Sequence, residues 1–151
     1  MTHVLSENAC LYYNAGTYGS PTWTLIDNIK DVTLNLEGSE VDVSTRASGG
    51  WTENVQGLLT ASVDFNLLWD RGGTDAAFIA IQAAFFGKTG IECLVLDGPV
   101  AATDGDSQGL RATMMVSTFT RNETLGEALT VDVSLKPVLN SNAHPIWWVQ
   151  P

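Results

Sequence analysis

Apolar residues recur at every second position along most of this chain, the period of strands with one buried and one solvated face. Val32, Leu34 and Leu36 alternate with Thr33, Asn35 and Glu37. Val41 and Val43 alternate with Asp42 and Ser44, and Gly38-Ser39 between the two runs predicts a two-residue hairpin turn. Further on, Ala61, Val63, Phe65, Leu67 and Trp69 alternate with Ser62, Asp64, Asn66 and Asp70. Ile91 to Leu96 is continuously apolar enough for a buried strand. Leu110–Phe119 and Leu129–Leu135 predict a closing pair of strands that ends at Pro137. Ala9–Asn14 and Trp23–Ile26 are shorter extended pieces. Residues 46–57 and 97–109 lack any period and read as loops, the second long enough to need a reason.

One stretch breaks this rhythm. TDAAFIAIQAAFFG, Thr74 to Gly87, predicts a helix. Thr74 can cap its first amides, Asp75 suits the positive end of the dipole, and Gly87 followed by Lys88 can stop it. Between the caps Gln82 is the only polar side chain. Phe78, Ile81 and Phe85 mark one stripe, while Ile79 and Phe86 lie off it. A helix without a polar face needs cover on more than one side, from a second layer of sheet or from another copy of the molecule.

Many strands and one helix imply a mainly β fold, an antiparallel β-sandwich or barrel with one flanking α-helix. A chain of 151 residues suits a single domain, 1–151, in which segments 1–10 and 139–151 are expected to serve assembly. Charged residues make up 16%, a low share that fits a surface covered by neighbours. The net charge of −10 argues against gripping nucleic acid by its phosphates, but not against nucleic acid passing by. Cys10 and Cys93 are expected to be free, mostly buried thiols. No apolar run reaches membrane-spanning length, and the first residues do not read as a secretory signal.

Catalytic chemistry finds little support. His3 and His144 stand near the termini without a nucleophile in a recognisable setting, so no enzyme, cofactor or metal is expected. Asp104 and Asp106 resemble the start of a calcium loop, but the twelfth position is Met115, where that loop needs glutamate. Asn122-Glu123-Thr124 is a glycosylation sequon, which matters only in a secreted protein. The polar strand faces are more telling. Their side chains are short and neutral or negative, which suits either a solvent-facing sheet or the wall of an aqueous channel that gives phosphates nothing to hold. Trp147-Trp148 can pack on its own domain, anchor a neighbour, or offer a platform to a sugar.

Two long segments carry a resemblance. EVDVSTRASGGWTENVQGLLTASVDFNLLWD, followed after the helix by GLRATMMVSTFTRNETLGEALTVDVSLKPV, resembles the major tail tube proteins of long-tailed bacteriophages, from about Leu11 to Val138. The resemblance implies a structural subunit whose copies form six-membered rings stacked into a hollow tube in the virion tail, assembled in the host cytoplasm. It implies Glu37, Asp42, Asp64 and Asp132 as candidate lumen acids. Phe78, Ile79, Phe85, Phe86, Trp51, Trp147 and Trp148 are candidates for contacts between subunits. The implied partners are other copies, tape-measure and tail-terminator proteins, and DNA passing without specific binding; no membrane is implied. A tight turn at Gly38-Ser39 would remove the long hairpin loop that some relatives use in stacking. A secretion-system injection tube subunit of the same fold and a carbohydrate-binding module on a sandwich are the alternatives.

Overall fold

The structure is a computed structural model that describes residues 3–101 and 107–151. The candidate calcium positions Asp104 and Asp106 lie outside the described residues. Eight strands form one antiparallel sheet: β1 (Cys10–Asn14), β2 (Trp23–Leu25), β3 (Ile29–Asp42), β4 (Asn54–Leu68), β5 (Ile91–Leu96), β6 (Gln108–Asn122), β7 (Thr130–Pro137) and β8 (Ile146–Val149). The order across the sheet is β2-β1-β5-β6-β7-β4-β3, with β8 added beside the first residues of β6. Among the described residues one α-helix, α1 (Ala76–Gly87), packs against β5 and β6.

Chain length forces this sheet to curl. β2 and β3 lie at opposite ends of the strand order, yet only residues 26–28 connect them. That link spans at most about 14 Å. Six strand spacings across a flat sheet would need about 29 Å. The ends of the sheet therefore bend toward each other. Two hydrogen bonds fix the link: the amide of Ile26 donates to the carbonyl of Leu11 at 2.9 Å, and that of Leu68 to the carbonyl of Asn28 at 3.0 Å. A barrel-like sheet results, open along the seam between β2 and β3.

The core fills the inside of the curl. Val63, Phe65 and Leu67 of β4, Val131, Val133 and Leu135 of β7, and Leu110, Ala112 and Met114 of β6 all point inward with period two. Phe78 and Ile81 bring the buried side of α1 into the same cluster. Aromatic edges join helix and sheet. The Trp69 and Phe78 rings meet edge-on at 5.2 Å, and Phe85 stacks on Phe119 at 5.8 Å. On the opposite face of the β1–β5 half, Tyr12, Leu94 and Leu96 form a smaller cluster covered by Trp148.

Three sequence expectations need correction. The helix starts one residue later than proposed. Asp75, not Thr74, is its cap, its carboxylate accepting the Ala77 amide at 3.1 Å. Gly87 is the last helical residue, and Lys88 adopts the left-handed conformation (φ 54°) that ends it. The larger correction concerns Gly38-Ser39, which forms no turn. β3 runs through it, paired with β4 from Ile29↔Leu67 to Asp42↔Asn54, and the register slips by one residue between Gly38 and Glu40. A β-bulge and a tight turn share the same local sequence signal; the partner strand decides which one forms. The true hairpin tip is residues 43–53, where Gly49 (φ 64°) and Gly50 (φ 88°) supply the positive φ angles. β3 and β4 thus form a long arm, so the long hairpin that a tight turn would have removed is present.

An ion pair of low exposure ties the loop after β1 to the sheet. Arg111 on β6 pairs with Glu92 on β5, donates to the Tyr18 carbonyl at 2.9 Å, and lies over the Tyr18 ring. Asn14 also donates to Glu92, at 3.1 Å. Cys10 and Cys93 are free, as expected; Cys93 is buried and Cys10 only partly so. Burial pushes the Cys93 thiol from its ordinary 9.0 up to about 12.

In chemical denaturation, Leu67→Ala should cost about 2–5 kcal/mol, because it empties a site with no solvent access. Leu58→Ala, on the exposed arm, should stay within about 0.5 kcal/mol. Cys93 favours its neutral thiol in the fold, so its contribution is complete below pH 9.0 and is lost as pH rises toward about 12. Mass spectrometry after alkylation at neutral pH should find Cys10 modified well before Cys93.

Candidate assembly interface

One region of the sheet is built differently from the rest. β3, β4, β7 and the second half of β6 lie side by side, and their outward face is polar from edge to edge. Pairing aligns Thr33 with Asp64, Asp64 with Ser134, and Ser134 with Thr118 in one row across four strands. Asn66, Asp132 and Thr120 form the next row. Asn35 lies opposite Ser62, and Glu37 opposite Thr60. The face is continuous because the ladder of β6 slips at Val116/Thr118, which turns Phe119 inward and Thr118 outward. Its carboxylates are held by amides. Asn35 donates to Asp64 at 3.2 Å, and Asn122 to Asp132 at 2.6 Å. Asp31 lines the same shallow depression as Asp64 and Asp132, and Lys136 lines the one beside Glu37.

Both margins of this four-stranded region lack partners. β3 pairs with β4 on one side only. On the side where β5 covers Gly109–Met114 of β6, no described strand pairs with Met115–Asn122. An open strand edge displays a row of donors and acceptors that another strand can satisfy.

The apolar surface follows the same geography. Along the arm, Leu58 is 83% and Leu59 74% exposed, and Trp51 at the tip is 80% exposed. On α1, Ile79 is 46% and Phe86 69% exposed. At the base of the arm, Leu36, Leu58, Leu59, Pro145 and Trp147 help line a groove of about 710 Å³.

The residues singled out from the sequence therefore separate. Glu37, Asp64 and Asp132 share the polar face. Asp42 does not join them: it stands five positions from Glu37 on the same strand, at the start of the tip. Its carboxylate is held below the usual range by hydrogen bonding from Ser44, whose amide it accepts at 2.8 Å. Phe78, expected at a contact between copies, is buried in its own core. Phe85 is half-buried against Phe119, while Ile79, Phe86 and Trp51 are open. The two tail tryptophans point to opposite faces of β8. Trp148 packs on the chain's own small cluster, whereas Trp147 stays 54% exposed, its indole N–H donating to Gln108 at 3.0 Å. Sequence reasoning missed Asp31, which the alternation of Thr33, Asn35 and Glu37 reaches when extended back by one step. It also missed the Arg111–Glu92 pair, since nothing local links residues on separate strands.

The comparisons with known proteins agree with this anatomy. The search of curated proteins gave no match. Among solved structures, a chain in the virion of a native gene transfer agent particle superposes with a TM-score of 0.70 at 12% identity, covering 96% of this chain and 98% of that one. A chain from the tail of an empty gene transfer agent particle, with C6 symmetry, gives 0.65 at 16% identity over 90% and 95% of the two chains. The SPP1 tail tube gives 0.66 at 14% identity over 89% and 75%. At such identities the likeness is one of fold. The sequence itself goes further: the model of the phage tail tube protein family matches residues 6–138, nearly the whole length. An open sheet with a polar acidic face is thus the architecture of a structural tube subunit of the virion tail, and the chain belongs to the phage tail tube protein family.

Proposed function

We propose that this subunit closes six-membered rings by continuing its sheet into the next copy, β3 of one against Met115–Asn122 of β6 of the other. The observation that carries this reading is the pair of open edges bounding one polar, four-stranded region. Strand direction supports it. β6, β7, β4 and β3 alternate in direction, so an even set of four presents opposite directions at its two margins. Joining margin to margin preserves antiparallel pairing all round, and neither margin of the four-stranded region stays open. The C6 symmetry of the similar gene transfer agent tail suggests the ring number. Six copies would then supply about 24 strands, far beyond the size that side chains can fill, which leaves an open channel.

The polar face becomes the lumen wall in this arrangement. Glu37, Asp64, Asp132 and Asp31 repeat around it, with Lys136 as a nearby base. Phosphates sliding past meet like charge at short range and few donors, and at physiological salt the repulsion extends about 8 Å. Contact without adhesion is what a conduit for a genome requires, and no catalytic step is needed. The whole chain serves as one tube unit. The arm, with its exposed leucines and Trp51, reaches toward the adjacent ring. Tape-measure and terminator proteins meet the tube inside and at its end, and assembly takes place in the host cytoplasm.

Purified protein should sediment as rings or tubes above a threshold concentration and show them by negative-stain electron microscopy. A strictly monomeric species at every concentration would contradict the reading. Asp132→Lys should assemble normally yet slow genome delivery, measured as the rate of DNA release from particles carrying the variant. Unchanged delivery would remove Asp132 from the channel wall.

A further inference from the structure

We infer that the exposed side of α1, at Ile79 and Phe86, is a docking surface for the apolar side of β3 on the adjacent copy, centred on Val32 and Leu36. The inference rests on the ring reading above and adds to it a second contact, on the outer side of the sheet. Within one copy these four side chains are all open, at 46%, 69%, 37% and 52%.

The register shows why they would meet. Val32 lies opposite Phe65, and Leu36 opposite Ala61, so both point to the same side of the sheet as the core and α1. Inside one copy, α1 packs mainly against β5 and β6, at the end of the four-stranded region opposite β3. The open edge of β6 lies beneath the helix: Phe119 of that edge touches Phe85 by stacking at 5.8 Å and Phe78 edge-on at 6.1 Å. Phe85 in turn meets Phe86 at 5.3 Å. A row of rings thus leads from the open edge up onto the uncovered flank of the helix. A strand added to that edge sets its side chains about 4.8 Å from Phe119, on the helix side, if its apolar face follows the core. Sheet continuity allows β3 only that orientation, since its other face carries Thr33, Asn35 and Glu37.

Chemistry favours a second copy over an unrelated occupant. From Ala76 to Gly87 the helix has no charged side chain, so it offers nothing to attract or orient a charged partner. Each copy carries both halves of the contact on opposite margins of one sheet, the head-to-tail arrangement that closes a ring.

The test mixes two single variants, Phe86→Cys and Leu36→Cys, both in a Cys10→Ser background with the buried Cys93 retained. After assembly, a short bismaleimide should yield a covalent heterodimer, and a chain carrying both substitutions should yield a ladder ending at the ring size. Tubes that form without the heterodimer, or that give only Phe86–Phe86 products, would overturn this contact and leave the ring reading standing. Absence of any assembly by the unsubstituted chain would instead overturn the ring reading itself. A double-mutant cycle supplies an independent readout. Phe86→Ala and Leu36→Ala should each raise the threshold concentration for assembly about tenfold or more, and the double variant by less than the product. Strict multiplicativity would overturn the contact.

Discussion

Backbone hydrogen bonding at the margins of the sheet is the constraint on which this structure depends. A strand edge left open must be solvated, blunted or paired, and a long exposed edge invites pairing. β3 runs for 14 residues along one margin without charged protection at its centre, where Val32, Leu34 and Leu36 alternate with Thr33 and Asn35. The short seam strand β2 does not pair with it: residues 26–28 join their ends, and β2 is laddered to β1. The curl therefore stops short of a barrel. In the proposed ring, neighbouring chains complete what a single chain leaves unfinished.

The same unfinished state explains the distribution of polarity. In the β1–β5 half both faces of the sheet are covered, one by the main core and the other by Tyr12, Leu94, Leu96 and Trp148. In the β3–β4–β7 half only the inner face is apolar, and the outer face is short, polar and acidic. A surface that wants neither a protein partner nor a ligand has this chemistry, and in the proposed ring it is the face turned toward the contents of the tube. The low share of charged residues belongs to the opposite condition: much of the remaining surface is arm, helix flank and strand edge, all suited to cover by other copies.

Much of this was legible in the chain, and the exceptions have physical reasons. Alternation alone located β7, the part of β4 from Ala61 onward and the polar character of their outer faces, because a half-buried strand imposes period two wherever it lies; residues 54–57, read as loop, belong to β4. The helix was visible from its caps, although neighbouring Thr74 and Asp75 are both good cap residues and only the geometry selects Asp75. Gly38-Ser39 was misread because a glycine between two alternating runs signals a turn or a bulge equally. The choice between them is made by Leu59 and Gln56, some twenty residues away. The slip near Ser117 on β6 is likewise set by its partner strand. Asp42 and Glu37 count as one polar face only if a turn at Gly38-Ser39 separates their strands; in the continuous β3 they stand five positions apart. No period marks the tail as a strand, yet adjacent tryptophans in a strand must face opposite ways, and in β8 Trp147 and Trp148 do.

Amide hydrogen exchange on free subunits and on assembled tubes bears most directly on the central claim. The account predicts strong added protection in residues 29–37 of β3 and 115–122 of β6, with little change in the β4–β7 ladder that is already paired. Equal exchange at those two margins before and after assembly would contradict it.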